Sequence, residues 1–485
     1  MCSIVADMNS ASAITSPYPP TANLVGPGAP PVPQQLATMD RLRLRDYQSN
    51  LDFYSGRQWP VQRRNVRARR LTMNYARTIV DKTASFLLQG MSFSVDPESP
   101  EDVEAAHRRE AVLREIHEAN DLAALDYDSE VDCAVLGDGA FKVVWDPEEH
   151  RVRITSPDVN GLFVWLYPDD HTRFWRLAHR YTVDPLAIRQ QEQYYPQILL
   201  TNQRAPAITE VWTDEEWEIW HDTTLVERCP NPYGFIPYVV YPNVRRPKQF
   251  WGESDIANVR EACVELNRAL TQLSAILEVS GNPITVLEGV TDSKDIAVEP
   301  GSVWEMPPGT KAYLLSLVEH GGVSIHLDYI EALYRILHDL GESPRAAFGG
   351  AHSGTGAAAS GVALAIELDP LIKRVQRKRL IRANVFRRRA EMALRLHEQF
   401  TGEEMRPYRC RISWGSLLPT DRARDILDQV ALVNAGIHSR ATAAAVLGER
   451  DHEVDFPIWL EENRRIAAAG GVPAEPSQSD RLQVT

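Results

Sequence analysis

Seven apolar side chains constrain this chain more than any other feature. Ile256, Val259, Cys263, Leu266, Leu270, Leu273 and Leu277 follow one another at spacings that alternate between three and four residues. Such a row keeps to one side of an α-helix, so it calls for a second helix packed lengthwise against it. A partner is present further on, where Leu327, Ile330, Tyr334 and Leu337 repeat the three-four-three spacing over about 325–341. Ser254 or Asp255 is placed to cap the first helix, and Gly281 follows its end. The intervening stretches "PITVLEGV", "GSVWEMPPG" and "AYLLSLV" carry short strand and turn signals. The pattern predicts two helices joined through a small β element. A plain antiparallel pair inside one domain is the commonest use of such rows.

Upstream, residues 40–245 read as an α+β domain with an antiparallel sheet. "RRNVRARRLTMNYARTIVDKTASFLLQG" places Ile79, Ala84, Leu87 and Leu88 near one helix face and stops at Gly90. "MSFSVDP" is a short strand, and residues 100–136 form two helices divided at Asn120. Gly137 and Gly139 then turn the chain into a hairpin, "AFKVVWDPEEHRVRITSP", with an Asp-Pro turn between apolar runs. "GLFVWLYP", "RFWRLAHRY", "ITEVWT", "EWEIWHD" and "IPYVVYP" continue as strands. Most of the 11 tryptophans lie here and should pack the sheet. The first 38 residues, rich in proline and glycine, should be disordered or extended, as should the last fifteen or so.

Between the second helix and a long third one lies "GGAHSGTGAAASG", Gly349 to Gly361. Gly349 and Gly354 have the glycine spacing of a phosphate-cradling loop, but Thr355 stands where the lysine is required. A dinucleotide fingerprint fails because Ala359 follows Gly354 and Gly356 where the third glycine belongs. A nucleophile elbow around Ser353 fails because Ala351 and Thr355 flank it two residues away. A nucleotide-binding enzyme would have to use Gly349–Gly356 without its cation. The long helix spans about 360–400, where Pro370 should kink it or start a fresh helix capped by Asp369. Lys373, Arg374, Arg377, Lys378, Arg379, Arg382 and Arg387 to Arg389 make a candidate basic surface. That run is either a solvated face paired with acidic neighbours or a face turned to nucleic acid or an acidic subunit edge. A strand, "YRCRISWG", and two further helices complete the chain.

The 13 histidines show no metal spacing, and "DPEEH" and Asp214 to Glu216 read as turns, so no catalytic residue, metal or cofactor is expected. The five cysteines are scattered without a C-x-x-C pair, which suits a reducing compartment. No apolar run reaches the ~18 residues of a membrane span, and no secretory signal is read at the start. The net charge of −14 argues against a protein that grips nucleic acid through its phosphates, though not against one past which DNA slides.

The order of these pieces resembles the tailed-bacteriophage portal proteins of the SPP1 type. "MNYARTIVDKTASFLLQG" is similar to that family's opening wing helix, and "VLGDGAFKVVWD" to its helix-to-hairpin passage. "FWGESDIANVREACVELNRALTQLS" resembles its first stem helix, and "SGVALAIELDPLIKRVQRKR" the start of its long helix. "LPTDRARDILDQVALVNAGIHSRATAAAVLG" resembles its crown. The Pro-rich arm and the clip depart from the pattern. The resemblance implies a disordered arm (1–38), a wing (39–250 and 361–417), stem helices (251–280 and 324–341) and a clip (281–323). It also implies a tunnel loop (342–360), a crown (418–468) and a disordered tail (469–485). The loop residues meeting passing DNA would be Gly349, Gly350, His352, Ser353, Gly354, Thr355 and Gly356, and the apolar rows would pack the stem. By the same resemblance the chain is a structural dodecameric ring at one capsid vertex and hydrolyses nothing. Its partners are a terminase large subunit, a head-completion adaptor, capsid and scaffolding proteins and sequence-independent double-stranded DNA, with no membrane. It resides in the host cytoplasm during assembly and then in the virion. Another ring-forming virion protein is the nearest alternative.

Overall fold

Asn120 and Gly137 set where the two helices before the main sheet stop. The computed structural model describes residues 31–59, 70–97, 102–183, 207–281, 284–288, 311–315, 322–348, 361–417 and 422–438, with a few isolated positions besides. The chain divides into two units, Met1–Trp414 and Gly415–Thr485.

In the first unit the helices α1 (Val32–Leu36), α2 (Arg41–Tyr54), α3 (Tyr75–Leu87), α4 (Val103–Ala119) and α5 (Leu122–Leu136) precede most of the sheet. The expected division at Asn120 is present, with Asp121 in the left-handed region at φ 46°. The Asn120 side chain uses the break: its amide donates to the carbonyls of Ile116 and Val152, and its oxygen accepts from the Ile154 N–H at 2.9 Å. One short polar residue therefore ties the helix end to the hairpin beside it.

The strands are β1 (Ser92–Ser94), β2 (Asp138–Asp146), β3 (Arg151–Thr155), β4 (Leu162–Leu166), β5 (Phe174–Thr182) and β6 (Ala207–Trp212). After them come β7 (Glu216–His221), β8 (Thr224–Pro230) and β9 (Tyr238–Pro242). They make a three-stranded sheet in the order β3-β2-β9 and a five-stranded one in the order β4-β5-β6-β7-β8, all antiparallel. Strand β8 escapes the sequence reading because "TLVERCP" is polar on both sides. It is the edge of its sheet, where charged residues are tolerated and protect against edge-to-edge pairing.

The arm is not extended to residue 38. Pro31 precedes α1 and Pro33 sits in its first turn, where a missing N–H costs nothing. Val32 and Leu36 are then buried against Phe163, Ala178 and Val211 of the five-stranded sheet.

Two further helices, α6 (Arg260–Gly281) and α7 (Gly322–Leu340), flank the strand pair β10 (Ile284–Glu288) and β11 (Lys311–Leu315). Helix α8 (Gly361–Thr401) follows as one element with Pro370 inside it, so no fresh helix starts at Asp369. Leu368 and Leu371 on either side of the proline are both buried. Helix α8 lays Val385, Phe386, Ala390 and Leu394 on Phe141 and Val143 of β2 and on Leu113 and Ile116 of α4, the largest core of the unit. Strand β12 (Arg411–Ser413) returns to pair with β1.

The second unit contains α9 (Arg422–Asn434). The expected helix over "SRATAAAVLG" falls almost wholly outside the described residues.

Candidate functional site

Three backbone passages meet at the base of the α6/α7 pair, and glycine lets them. Gly137 adopts φ +111° at the end of α5, and a side-chain carbon there would lie 2.9 Å from the Ser254 nitrogen. The same atom on Gly252 would lie 2.4 Å from the Gly137 carbonyl oxygen. The strand end and the Gly-Glu-Ser-Asp turn at 252–255 thus cross with no room for a methyl group. Hydrogen bonds fasten the crossing: Gly252 N–H to Asp138 Oδ1 at 2.7 Å, Asn243 N–H to the Gly137 carbonyl at 2.8 Å, and Asp255 N–H to the Ala134 carbonyl at 2.9 Å.

The two residues expected to cap α6 are used otherwise. Ser254 Oγ donates to the Val135 carbonyl at 2.6 Å and accepts from the Ile256 N–H at 3.1 Å. Asp255 points its carboxylate inward, where it accepts from Asn243 Nδ2 at 2.8 Å. Residues 255–259 form turns and the helix begins only at Arg260.

Helix α8 passes behind this crossing and supplies the cations that neutralise it. Arg374 Nη2 pairs with Asp255 Oδ1 at 3.0 Å, Lys378 Nζ bonds Asp255 Oδ2, and Arg374 Nη1 donates to the Gly341 carbonyl just after α7. One carboxylate and two cations therefore join the start of α6, the end of α7 and the middle of α8. Four residues on, Arg382 grips Glu130 of α5 with two bonds and donates to the carbonyls of Pro242 and Asn243 at 2.9 and 3.2 Å. Arg389 makes a two-pronged pair with Asp126, one turn below Glu130, and lies 4.5 Å from the Phe141 ring centre. Arg379 donates to the carbonyls of Leu87 and Gln89, satisfying the C-terminal end of α3 where a cation suits the helix dipole.

Every side chain of this ladder is at least nine-tenths buried. Burial alone would raise the Asp255 pKa, but Arg374 and Lys378 beside it hold its carboxyl well below the usual carboxylate range. Burial lowers Lys378, with Asp255 opposing. For Arg382 burial is outweighed by Glu130, and the guanidinium is pushed above its ordinary value. Burial pushes the Cys133 thiol up, so it offers no nucleophile. The arrangement holds elements in place; it has no solvent-reaching group to perform a reaction. Among the described residues no cluster of His, Cys, Asp or Glu could hold a metal ion, and no helix is long and apolar enough to cross a membrane.

The expected basic surface is therefore corrected. Lys373 and Arg377 are exposed, whereas Arg374, Lys378, Arg379 and Arg382 are interior. Composition alone could not show that their counter-charges sit on α5 and at 255. A signal was present, however: Arg374, Lys378 and Arg382 recur every fourth residue, and so do Asp126 and Glu130.

The apolar rows fare unevenly. Ile256, Val259, Leu266, Leu273 and Leu337 are buried, and Leu270, Ile330 and Tyr334 pack at the edge of the same cluster. Leu277 and Leu327 are exposed, at 53% and 52%. They lie at the far end of the pair, beyond the reach of Ile79, Val80 and Ala134, which cover the near end. A different row on α7 also faces outward: Ile325, Tyr329, Ile336 and Leu340 are each 47–69% exposed and fall within about 60° of one another on the helix. The loop residues Gly349, Gly350, His352, Ser353, Gly354, Thr355 and Gly356 lie outside the described residues.

The family described as phage portal protein, SPP1 Gp6-like, matches residues 35–469. The chain belongs to that family. It is thus a phage portal protein, a structural component of the virion capsid from a family that is not one of enzymes. No curated protein matches the chain closely enough to add to this.

Proposed function

We propose that twelve copies of this chain close into a ring at one capsid vertex, with α6 and α7 as the stem around a central channel. The observation that carries this reading is the outward apolar row on α7. Among the described residues Ile325, Tyr329, Ile336 and Leu340 stay 47–69% exposed, though the Tyr329 hydroxyl donates to Glu265 of α6, and a neighbouring copy would remove their apolar surface from water. A separate terminase motor, docked on the segment 281–323, drives double-stranded DNA through the channel. A head-completion adaptor later occupies the same end, and DNA leaves through it on ejection. The expected tunnel loop narrows to residues 349–360, which we assign to the channel, because Arg345–Phe348 form a 3-10 turn with Ser343 and Ala347 buried and Phe348 against the α6/α7 core. Small uncharged residues there touch passing phosphates without a grip that each step would have to break. The net charge of −14 favours sliding for the same reason.

Negative-stain electron microscopy with mass photometry on the purified chain tests the ring. Particles with a central hole and a mass near twelve subunits are expected; a closed dimer without a channel would overturn the reading. Within the ring, deleting Gly349 to Gly356 should leave assembly intact and abolish DNA packaging. Normal packaging after that deletion would remove the loop's assigned role.

A further inference from the structure

Two surfaces of opposite charge lie on different sides of α5. The first is the turn between β9 and the 252–255 crossing. Arg245 and Lys248 are exposed there, and neither side chain has an ion pair or hydrogen bond among the described residues. Arg246 between them is 3.8 Å from Glu253. The turn is held in shape: Val244 bridges Glu253, Gln249 N–H donates to the Arg246 carbonyl at 3.3 Å, and Lys248 takes φ 59° after Pro247. Val244 is 40% exposed beside the two free cations. The second surface is the outer face of α5. Asp121, Asp128 and Asp132 are exposed there with no cationic partner among the described residues. Burial, with Asp158 and Asp128 adding to it, pushes the Asp132 carboxyl above its ordinary pKa. Ala124 and Tyr127 lie between these aspartates, and Tyr127 is 39% exposed.

Their placement selects the partner. Arg382 bonds Glu130 of α5 and the Pro242 and Asn243 carbonyls, so the basic turn leaves from the Glu130 side of that helix. At about 100° per residue, Asp121, Asp128 and Asp132 fall within about 20° of the opposite side. A chain therefore carries the two surfaces back to back. Contact between them joins one copy to the next head to tail, the kind of contact that closes a ring. Phosphate groups would satisfy the basic turn but not the unpaired carboxylates of α5, whereas a second copy satisfies both. We propose that the turn 244–249 of one copy docks on the outer face of α5 in its neighbour. Val244 lies against Ala124 and Tyr127 there, and Arg245 and Lys248 among Asp121, Asp128 and Asp132. The inference rests on the ring reading and adds a contact separate from the α7 row.

The test is charge exchange in the full chain, read by mass photometry across a concentration series. Arg245→Glu/Lys248→Glu and Asp128→Lys/Asp132→Lys each set like charges against one another across the contact. Each should raise the concentration for half-assembly by about tenfold or more. The substituted residues are exposed and unpaired, so circular dichroism and melting should stay unchanged. Combining both pairs of substitutions in one chain restores opposite charges, and assembly should return to within about threefold of the unmodified chain. Should Asp128→Lys/Asp132→Lys fail to fold, Asp128→Asn/Asp132→Asn removes the charge at constant shape, and a smaller rise is expected from it. Unchanged assembly in both reversed variants, or no recovery in the combined one, would overturn the proposal and leave the ring standing. Absence of rings from the unmodified chain would overturn the ring reading as well. Duplex DNA binding that is lost in Arg245→Glu/Lys248→Glu while assembly is unchanged would assign the turn to nucleic acid instead.

Discussion

Asp255 is the residue on which the most depends. It sits between Arg374 and Lys378 with no exposure to dilute their attraction. Replacing it by alanine leaves two interior cations facing each other, and losing one partner of a buried pair costs about 3–5 kcal/mol. Urea unfolding of Asp255→Ala should show a loss of that size. Arg377→Ala, which breaks an exposed pair with Glu342, should change stability by no more than about 0.5 kcal/mol. Acidity probes two other residues. Burial lowers His117 from 6.5 to about 3 and His179 from 6.5 to about 4. Both are neutral when folded and take up a proton on unfolding once the pH is below 6.5. The unfolded state then binds more protons, so stability falls as the pH drops from 6.5 toward those values. Each contributes about 1.4 kcal/mol per pH unit in that window. Asp255 acts lower: its contribution is present above the usual carboxylate range and is lost only as the pH falls through its depressed folded value. In His117→Phe the slope of stability between pH 6.5 and 4 should shrink by about that 1.4 kcal/mol per unit.

Elements are positioned by crossings rather than by their own propensities. The end of α5, the start of β2 and the 252–255 turn touch backbone to backbone, and two glycines permit the contact. Gly252→Ala must push the Gly137 carbonyl or the turn aside, at a cost of about 1–3 kcal/mol or more. The damage should be local. Hydrogen exchange should rise at the amides of Asn243, Gly252 and Asp255, whose acceptors lie across the crossing, and stay unchanged in the hairpin β2–β3. Much of this level was legible beforehand. The break at Asn120, the hairpin, the paired helices and the long helix follow from periodicity and turn chemistry, although α6 begins at Arg260 rather than after a cap at 254 or 255. Strand β8 was not legible, because an edge strand carries no apolar alternation to announce it. Helix α1 was not either, because its five residues are held by a sheet far away in sequence.

At the scale of the whole molecule the chain is a phage portal protein, and its α7 row is the surface to test in assembly. Ile325→Glu/Ile336→Glu places charges on residues that are 69% and 48% exposed in the single chain. The fold should therefore persist, with unchanged helical circular dichroism and melting. The ring should not close, and mass photometry should record monomers. Rings of normal mass from that variant would place the subunit contact elsewhere.

The sequence by itself determined the α+β class, the order of helices and strands, the apolar rows and the resemblance to portal proteins. These depend on short-range spacing, which a linear chain carries in full. Tertiary structure alone decided what the charges do. Arg382 meets Glu130 from 252 positions away and Arg389 meets Asp126 from 263. A guanidinium on a helix reads the same in sequence whether water or a buried carboxylate receives it. The packing of α8 across α5 and the 252–255 turn settles the matter, because an unpaired charge could not remain inside and a paired one can.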